Sequence, residues 1–268
     1  MTLQLVFKNA VNYVGLVSNM MHNILLTGAS GGLGKKILLG KHGFSFLSPS
    51  KKELDICSND SVQRYCEQNS FDTVIHCAAL ARMGECEQNP IKAFDVNTGG
   101  TLNLVRAISK IEQIKKTNIR FIYISTDGVY SCDQGNYSES SPTVPYNIYG
   151  WSKLGGETAV RILKNFCILR TRFYDPENIP FTESAIDIIT SSIEVKKLIA
   201  CIQFLITDKF TGIINLGSSN PCSEFVRYSA HKPEINKCSR SDVIKNLTFE
   251  IATNASMDIS LMEKIIKL

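Results

Sequence analysis

Several residue types are scarce in this chain, and each scarcity removes a class of function. Four histidines in 268 residues, none paired with another at metal-ligand spacing, argue against a zinc site. The nine cysteines are an odd number with no CxxC pair. That argues against a disulfide framework and points to a reducing, cytoplasmic setting. Cys77, Cys167 and Cys201 sit in apolar runs and read as small core residues, and His76 reads as a satisfied core histidine. Charge of one sign is lacking too: the formal net charge is +4. The lysines are scattered, with doublets such as Lys35-Lys36, Lys51-Lys52 and Lys196-Lys197 as the densest clusters. Without a basic patch interleaved with aromatics, no nucleic-acid partner is expected.

Residues 1–20 are mildly apolar and contain Asn9, Asn12 and Asn19. They are too polar and too short to span a bilayer, and they lack the basic start and unbroken apolar stretch of a secretory signal. The first strand pattern begins right after Met21, so residues 1–20 read as an upstream extension or a mis-assigned start, and no membrane partner is expected.

What is present is a regular alternation. Apolar runs at Asn23-Ile24-Leu25-Leu26-Thr27, Phe44 to Leu47, Asp72 to His76, Arg120 to Ser125 and Phe166 to Leu169 read as strands. Between them, Lys35 to Lys41, Asp60 to Gln68 (capped by Ser58 or Asn59), Pro90 to Ile114 and about Tyr146 to Leu163 carry helical spacing. This β-α repetition with short loops predicts an α/β fold, a Rossmann-type doubly wound parallel sheet. After Arg172 the rhythm loosens. A helix is expected over Ile193 to Ile206, a strand over Thr211 to Leu216 and a last helix over Asp258 to Ile266. The organisation expected is a nucleotide-binding domain over residues 21–172, with residues 173–268 forming mainly a small C-terminal substrate lobe packed on it.

Gly28, Gly31 and Gly34 form a GxxGxxG pattern between the first strand and the first helix. Glycine permits the tight turn, admits a pyrophosphate close to the backbone and lets helix and strand pack closely. The helix N-terminus then offers free N–H groups to phosphates. The acid usually found at the end of the second strand is missing, and Ser48-Pro49-Ser50-Lys51-Lys52 stands there instead. With no carboxylate to repel a 2′-phosphate, NADPH is favoured over NADH. Asp55-Ile56 follows what reads as the next sheet edge, where an acid could accept from an adenine amino group.

Tyr149 and Lys153 are four apart on an expected helix and project from one face. A free phenol titrates near pH 10. A neighbouring ammonium and the positive nicotinamide of an oxidised cofactor are expected to draw that pKa toward working pH. The lysine can also hold the nicotinamide ribose. A strand ending Ser125-Thr126-Asp127 precedes the pair, so Thr126 could polarise a carbonyl while Tyr149 donates the proton.

At this point the chain resembles an extended short-chain dehydrogenase/reductase, and within it the dTDP-4-dehydrorhamnose reductase group. The resemblance rests on Leu26-Thr27-Gly28-Ala29-Ser30-Gly31-Gly32-Leu33-Gly34, Glu53-Leu54-Asp55-Ile56 and Val74-Ile75-His76-Cys77-Ala78-Ala79. It continues through Asp95-Val96-Asn97, Ile124-Ser125-Thr126-Asp127-Gly128-Val129-Tyr130 and Tyr149-Gly150-Trp151-Ser152-Lys153-Leu154. Asn254 to Ser260 is similar to the family's late segment. The resemblance implies Thr126, Tyr149 and Lys153 as the catalytic set. For the cofactor it implies the glycine turn (Gly28, Ser30, Gly31, Gly32, Leu33, Gly34), Asp55, Ile56, Ala78 and Ala79, with Asn97 supporting the lysine. Thr126, Asp127 and Phe173 would face the sugar. Phe173 stands where the family often has tryptophan, Gly128 replaces a common tyrosine, and Tyr174 to Ala185 is shorter than the usual lobe insertion.

The function expected is reduction of a 4-keto-6-deoxy sugar nucleotide by NADPH, with NADH as the alternative donor. Two competing expectations remain: epimerase or dehydratase chemistry in the same superfamily, and a regulatory subunit like the family's relative that modulates methionine adenosyltransferase. Dimers are common in the family, which implies a homodimer.

Overall fold

The computed structural model describes residues 22–40, 43–245 and 247–266; the expected extension over residues 1–20 lies outside them. Strands and helices alternate from the start: β1 (Asn23–Thr27), α1 (Gly32–Leu39), β2 (Ser45–Leu47), α2 (Asn59–Gln68) and β3 (Thr73–His76). Short helices α3 (Met83–Gln88) and α4 (Pro90–Phe94) lead into α5 (Gly100–Lys115), β4 (Arg120–Ile124), α6 (Ile148–Val160) and β5 (Phe166–Thr171). Then come β6 (Phe173–Tyr174), β7 (Glu183–Ala185), β8 (Ile189–Thr190), β9 (Ile193–Glu194), α7 (Val195–Thr207) and β10 (Gly212–Leu216). The chain closes with β11 (Cys222–Ser223), α8 (Glu224–Ser229), β12 (Asn236–Cys238), α9 (Arg240–Ile244), β13 (Asn254–Ala255) and α10 (Ser260–Ile265).

The central sheet has six strands in the order β10-β5-β4-β3-β1-β2, all parallel. From β1 the chain steps outward to β2, then crosses back to β3 and proceeds the other way. The strand order therefore reverses between β1 and β3, the point where doubly wound sheets bind ligands at their carboxyl ends. Period-2 alternation puts Ile24 and Leu26 on one face and Leu25 on the other. The first face packs on α1 and α7 through Leu33, Ile37, Leu198, Ile202 and Leu205. The second packs on α2, α5 and α6 through Val62, Leu104, Ile108 and Val160. Strands buried on both faces read as continuous apolar runs, which is why they were legible.

Two expectations need correction. The helix expected over Pro90 to Ile114 is interrupted by a π-turn at Asp95–Gly99; the apolar spacing continues through it, so periodicity does not reveal the extra residue. No further sheet edge precedes Asp55-Ile56 after β2: Lys51–Glu53 form a turn and the chain runs on to α2. Ser50 N and Oγ both donate to Glu53 Oε2 at 2.8 Å, and this local closure takes the place of a strand. Beyond residue 172, α7 and β10 return to the central sheet. The small sheets β11-β8-β13, β12-β7 and β6-β9 flank that return.

Candidate active site

The glycine turn sits at the carboxyl end of β1. Gly28 has φ +72°, and a Cβ there would stand 2.5 Å from Ala78 N. Only glycine meets both demands, the left-handed backbone and the close approach of the β3 end. A Cβ on Gly34 would stand 2.3 Å from Gly28 O, so that position also admits nothing larger. Gly31 caps α1 with no side-chain hydrogen bond and no acid follows in the first turn. The first N–H groups of α1 are left for an anion.

A cleft of about 270 Å³ opens here, lined among others by Gly28, Ser30, Gly31, Asp55, Ile56, Ala78 and Ala79. These expected cofactor residues come together. Gly32, Leu33 and Gly34 do not line it; Leu33 and Gly34 are buried behind the turn. Lining residues outside the expected cofactor set include Thr27, Pro49, Cys57, Cys77 and Val96, and Lys51 stands with them. Thr27, Cys77 and Val96 lie inside the quoted motif segments but were given no role, and no motif marked Pro49 or Cys57 as a cofactor contact. The donor set suits a dinucleotide: a glycine cradle, an uncapped helix start and one lysine beside the adenosine end.

Below the cleft, His76 is fully buried between two hydroxyls. Thr101 Oγ1 donates to Asn97 O at 2.6 Å, so it accepts from His76 Nε2 at 3.0 Å. His76 Nδ1 then accepts from Thr27 Oγ1 at 2.6 Å. The ring is a neutral, satisfied core histidine. Burial, reinforced by the Lys153 charge, pushes its pKa down to about 3.

Asn97 lies inside the π-turn. Its Oδ1 accepts from Leu80 N at 2.8 Å, and its Nδ2 donates to Leu80 O at 3.0 Å and to Ser152 Oγ at 2.8 Å. Asn97 thus clamps the loop after β3 to Ser152, the neighbour on α6 of the lysine it is expected to support. The π-turn supplies the geometry, as such insertions often do at functional sites.

Helix α6 begins at Asn147, whose Oδ1 accepts from Gly150 N at 2.8 Å. Tyr149 and Lys153 follow one turn apart. The Lys153 ammonium lies 4.1 Å from the Tyr123 ring centroid, and burial lowers its pKa to about 7, partly offset by Cys77 and Glu157. Tyr149 meets the Thr126 hydroxyl across the carboxyl end of β4. Burial, then the Asp127 carboxylate and Cys86, push its pKa up, while Arg172 and Thr126 pull the other way. The protein's own groups thus hold the phenol protonated; the lowering expected from the sequence involves the oxidised nicotinamide as well as the lysine.

Thr126 Oγ1 donates to Asp127 Oδ1 and accepts from Gly128 N, each at 3.1 Å. Asp127 Oδ2 accepts from Arg172 Nε at 2.7 Å. Both carboxylate oxygens are engaged and Asp127 is buried, so it faces Arg172. Phe173 is 39% exposed at the start of β6. Two arginines were missed, Arg170 and Arg172. Spaced by two at the end of an apolar strand, they share a face and each holds a buried carboxylate, Glu157 and Asp127; that spacing was the available signal.

The chain is 33% identical over 149 residues to dTDP-4-dehydrorhamnose reductase of Mycolicibacterium smegmatis, covering 54% of this chain and 43% of that protein. It is 29% identical over 146 residues to methionine adenosyltransferase 2 subunit beta of Rattus norvegicus, covering 51% and 42%. The chain thus spans under half the length of these relatives. A solved structure described as a hypothetical dTDP-4-dehydrorhamnose reductase from Sulfolobus tokodaii is 26% identical, with TM-score 0.77 over 91% of this chain and 95% of that one. The Bacillus anthracis dTDP-4-dehydrorhamnose reductase, in complex with NADP, superposes with TM-score 0.79 at 24% identity over 92% and 93%, a likeness of fold. The RmlD substrate binding domain model matches residues 21–188, well over half of the sequence, and the chain belongs to that family.

Proposed function

We propose that the chain is an NADPH-dependent reductase of a 4-keto-6-deoxy sugar nucleotide, of the dTDP-4-dehydrorhamnose type. The observation that carries this reading is the meeting of Thr126 and Tyr149 at the end of β4, with Lys153 one turn away beside Cys77 of the nucleotide cleft. The relatives named for that reaction, and the NADP held by the Bacillus anthracis structure, support substrate class and cofactor.

When bound, the cofactor supplies hydride to the sugar ketone. Gly28 and Gly31 admit its pyrophosphate to the start of α1, and Lys51 answers a 2′-phosphate. Lys153 holds the nicotinamide ribose. Tyr149, kept protonated by its surroundings, gives its proton to the ketone oxygen, while Thr126 donates a hydrogen bond to the same oxygen. Phe173 forms an aromatic wall at the sugar. A soluble homodimer in the cytoplasm is the assembly this reading favours.

The test is NADPH consumption by the purified protein with dTDP-4-dehydrorhamnose, followed by absorbance, with the product identified by NMR. Turnover with NADPH well above that with NADH is expected. Intact cofactor binding without consumption would shift the weight to a regulatory role, a reading that the adenosyltransferase subunit among the relatives favours.

A further inference from the structure

We propose that Arg172 is a positioning residue which, through Asp127, frees the Thr126 proton for the substrate carbonyl. This rests on the reductase reading and names a further participant in it.

Thr126 has one hydroxyl proton, and it points at Asp127 Oδ1 at 3.1 Å. To bond a ketone oxygen, that proton must leave the carboxylate. An unpaired carboxylate holds a hydroxyl strongly because the bond is charge-assisted. Arg172 weakens that hold by taking the other oxygen, Oδ2, at 2.7 Å. Its side chain is 22% exposed, and the guanidinium also reaches Glu224 Oε1 at 3.5 Å and the Tyr146 hydroxyl. The break between β5 and β6 falls at this residue, and period-2 alternation from Arg170 brings it under Asp127.

The same guanidinium bears on the proton donor. Asp127 and Cys86 face Tyr149 as groups that hold its proton on, and Arg172 and Thr126 oppose them. Around the ion pair stand Cys132, Tyr146 and Glu224, with Arg227 facing Glu224. Lys153 acts elsewhere, toward Cys77, His76 and Glu157. Loss of Arg172 leaves Asp127 unbalanced against both catalytic hydroxyls.

The experiment compares wild type, Arg172→Met, Arg172→Lys and Arg172→Met/Asp127→Asn with NADPH and dTDP-4-dehydrorhamnose, and in the oxidative direction with NADP+ and the isolated product. Arg172→Met is expected to lose kcat by roughly tenfold to hundredfold with little change in NADPH affinity. Its rise of oxidative rate with pH moves to higher pH, because the phenolate is harder to form. Arg172→Lys falls between. Adding Asp127→Asn recovers most of the loss and returns the pH profile. Should Arg172→Met not fold, Arg172→Gln replaces it, and the double variant again stands above the single one.

A loss confined to KM would make Arg172 a substrate contact and overturn the proposal. Equal loss in single and double variants with an unmoved pH profile would make it a strut, and the proposal would fall as well. A wild type that leaves the sugar untouched overturns the reductase reading, and this inference with it.

Discussion

At the residue scale, two groups in this protein are held in unusual protonation states by burial, and each gives a pH-dependent expectation. His76 is neutral, with a folded pKa near 3 against 6.5 for the free group. A base whose folded pKa is depressed contributes stability that is present above its unfolded pKa and lost as pH falls toward the folded one. Unfolding free energy should therefore decline from about pH 6.5 toward 3, and His76→Gln should reduce that slope; urea unfolding at several pH values measures it. Lys153 lies the same way, at about 7 against 10.5. Its burial disfavours the folded state most below pH 7, and stability should rise between pH 7 and 10.5. Lys153→Met should stabilise the free protein at pH 6 to 7 by on the order of 1–3 kcal/mol while weakening NADPH binding. Near neutrality the bound cofactor should favour charged Lys153, so binding takes up protons. Calorimetry in buffers of different ionisation enthalpy reads this directly, and an enthalpy independent of buffer would contradict it.

At the scale of elements, the glycine turn and the β5 arginines carry the clearest structural expectations. Gly28→Ala puts a methyl against the Ala78 backbone at a left-handed φ. It should cost about 1–3 kcal/mol and abolish NADPH binding, read by thermal unfolding and fluorescence titration. Glu157 and Arg170 are both 1% exposed and 2.7 Å apart, with Ser125 Oγ donating to Glu157 at 2.6 Å. Breaking a buried pair strands the remaining charge, so Arg170→Met should destabilise by roughly 3–5 kcal/mol. Denaturant midpoints check that, and a change below about 1 kcal/mol would mean that water reaches the carboxylate. The elements themselves were largely legible. Strands such as Asn23–Thr27 are apolar on both faces, and α2 starts at Ser58, whose hydroxyl accepts from Ser61 N, as a capping residue should. The π-turn at Asp95–Gly99 was not legible, since one extra residue per turn leaves the apolar spacing nearly intact. The Ser50–Glu53 turn was misread because its closure depends on one side chain folding back on a backbone N–H.

Across the whole molecule, the sheet brings five distant segments to one end: the turn after β1, the loop after β2, the end of β3, Thr126 after β4 and the start of α6. Motif spacing identified most of these residues, because backbone geometry at glycines and one helical face is fixed locally. Arg172's pairing with Asp127 and Asn97's clamp on Leu80 were beyond it, since each depends on which segments become neighbours. Charge balance inside the site was likewise hidden; the sequence shows a lysine near a tyrosine, whereas the fold sets Asp127 against that tyrosine. No helix among the described residues is long and apolar enough to cross a membrane.

Central to the proposed function is Tyr149 as the group that would deliver the proton during hydride transfer from NADPH to a keto sugar nucleotide. The most direct measurement is single-turnover NADPH oxidation with dTDP-4-dehydrorhamnose, comparing wild type with Tyr149→Phe at matched cofactor saturation. Rapid oxidation is predicted in the wild type, and a loss of about 10²–10⁴-fold in the variant, with NADPH affinity little changed. A variant that oxidises NADPH as fast as the wild type would contradict the assignment.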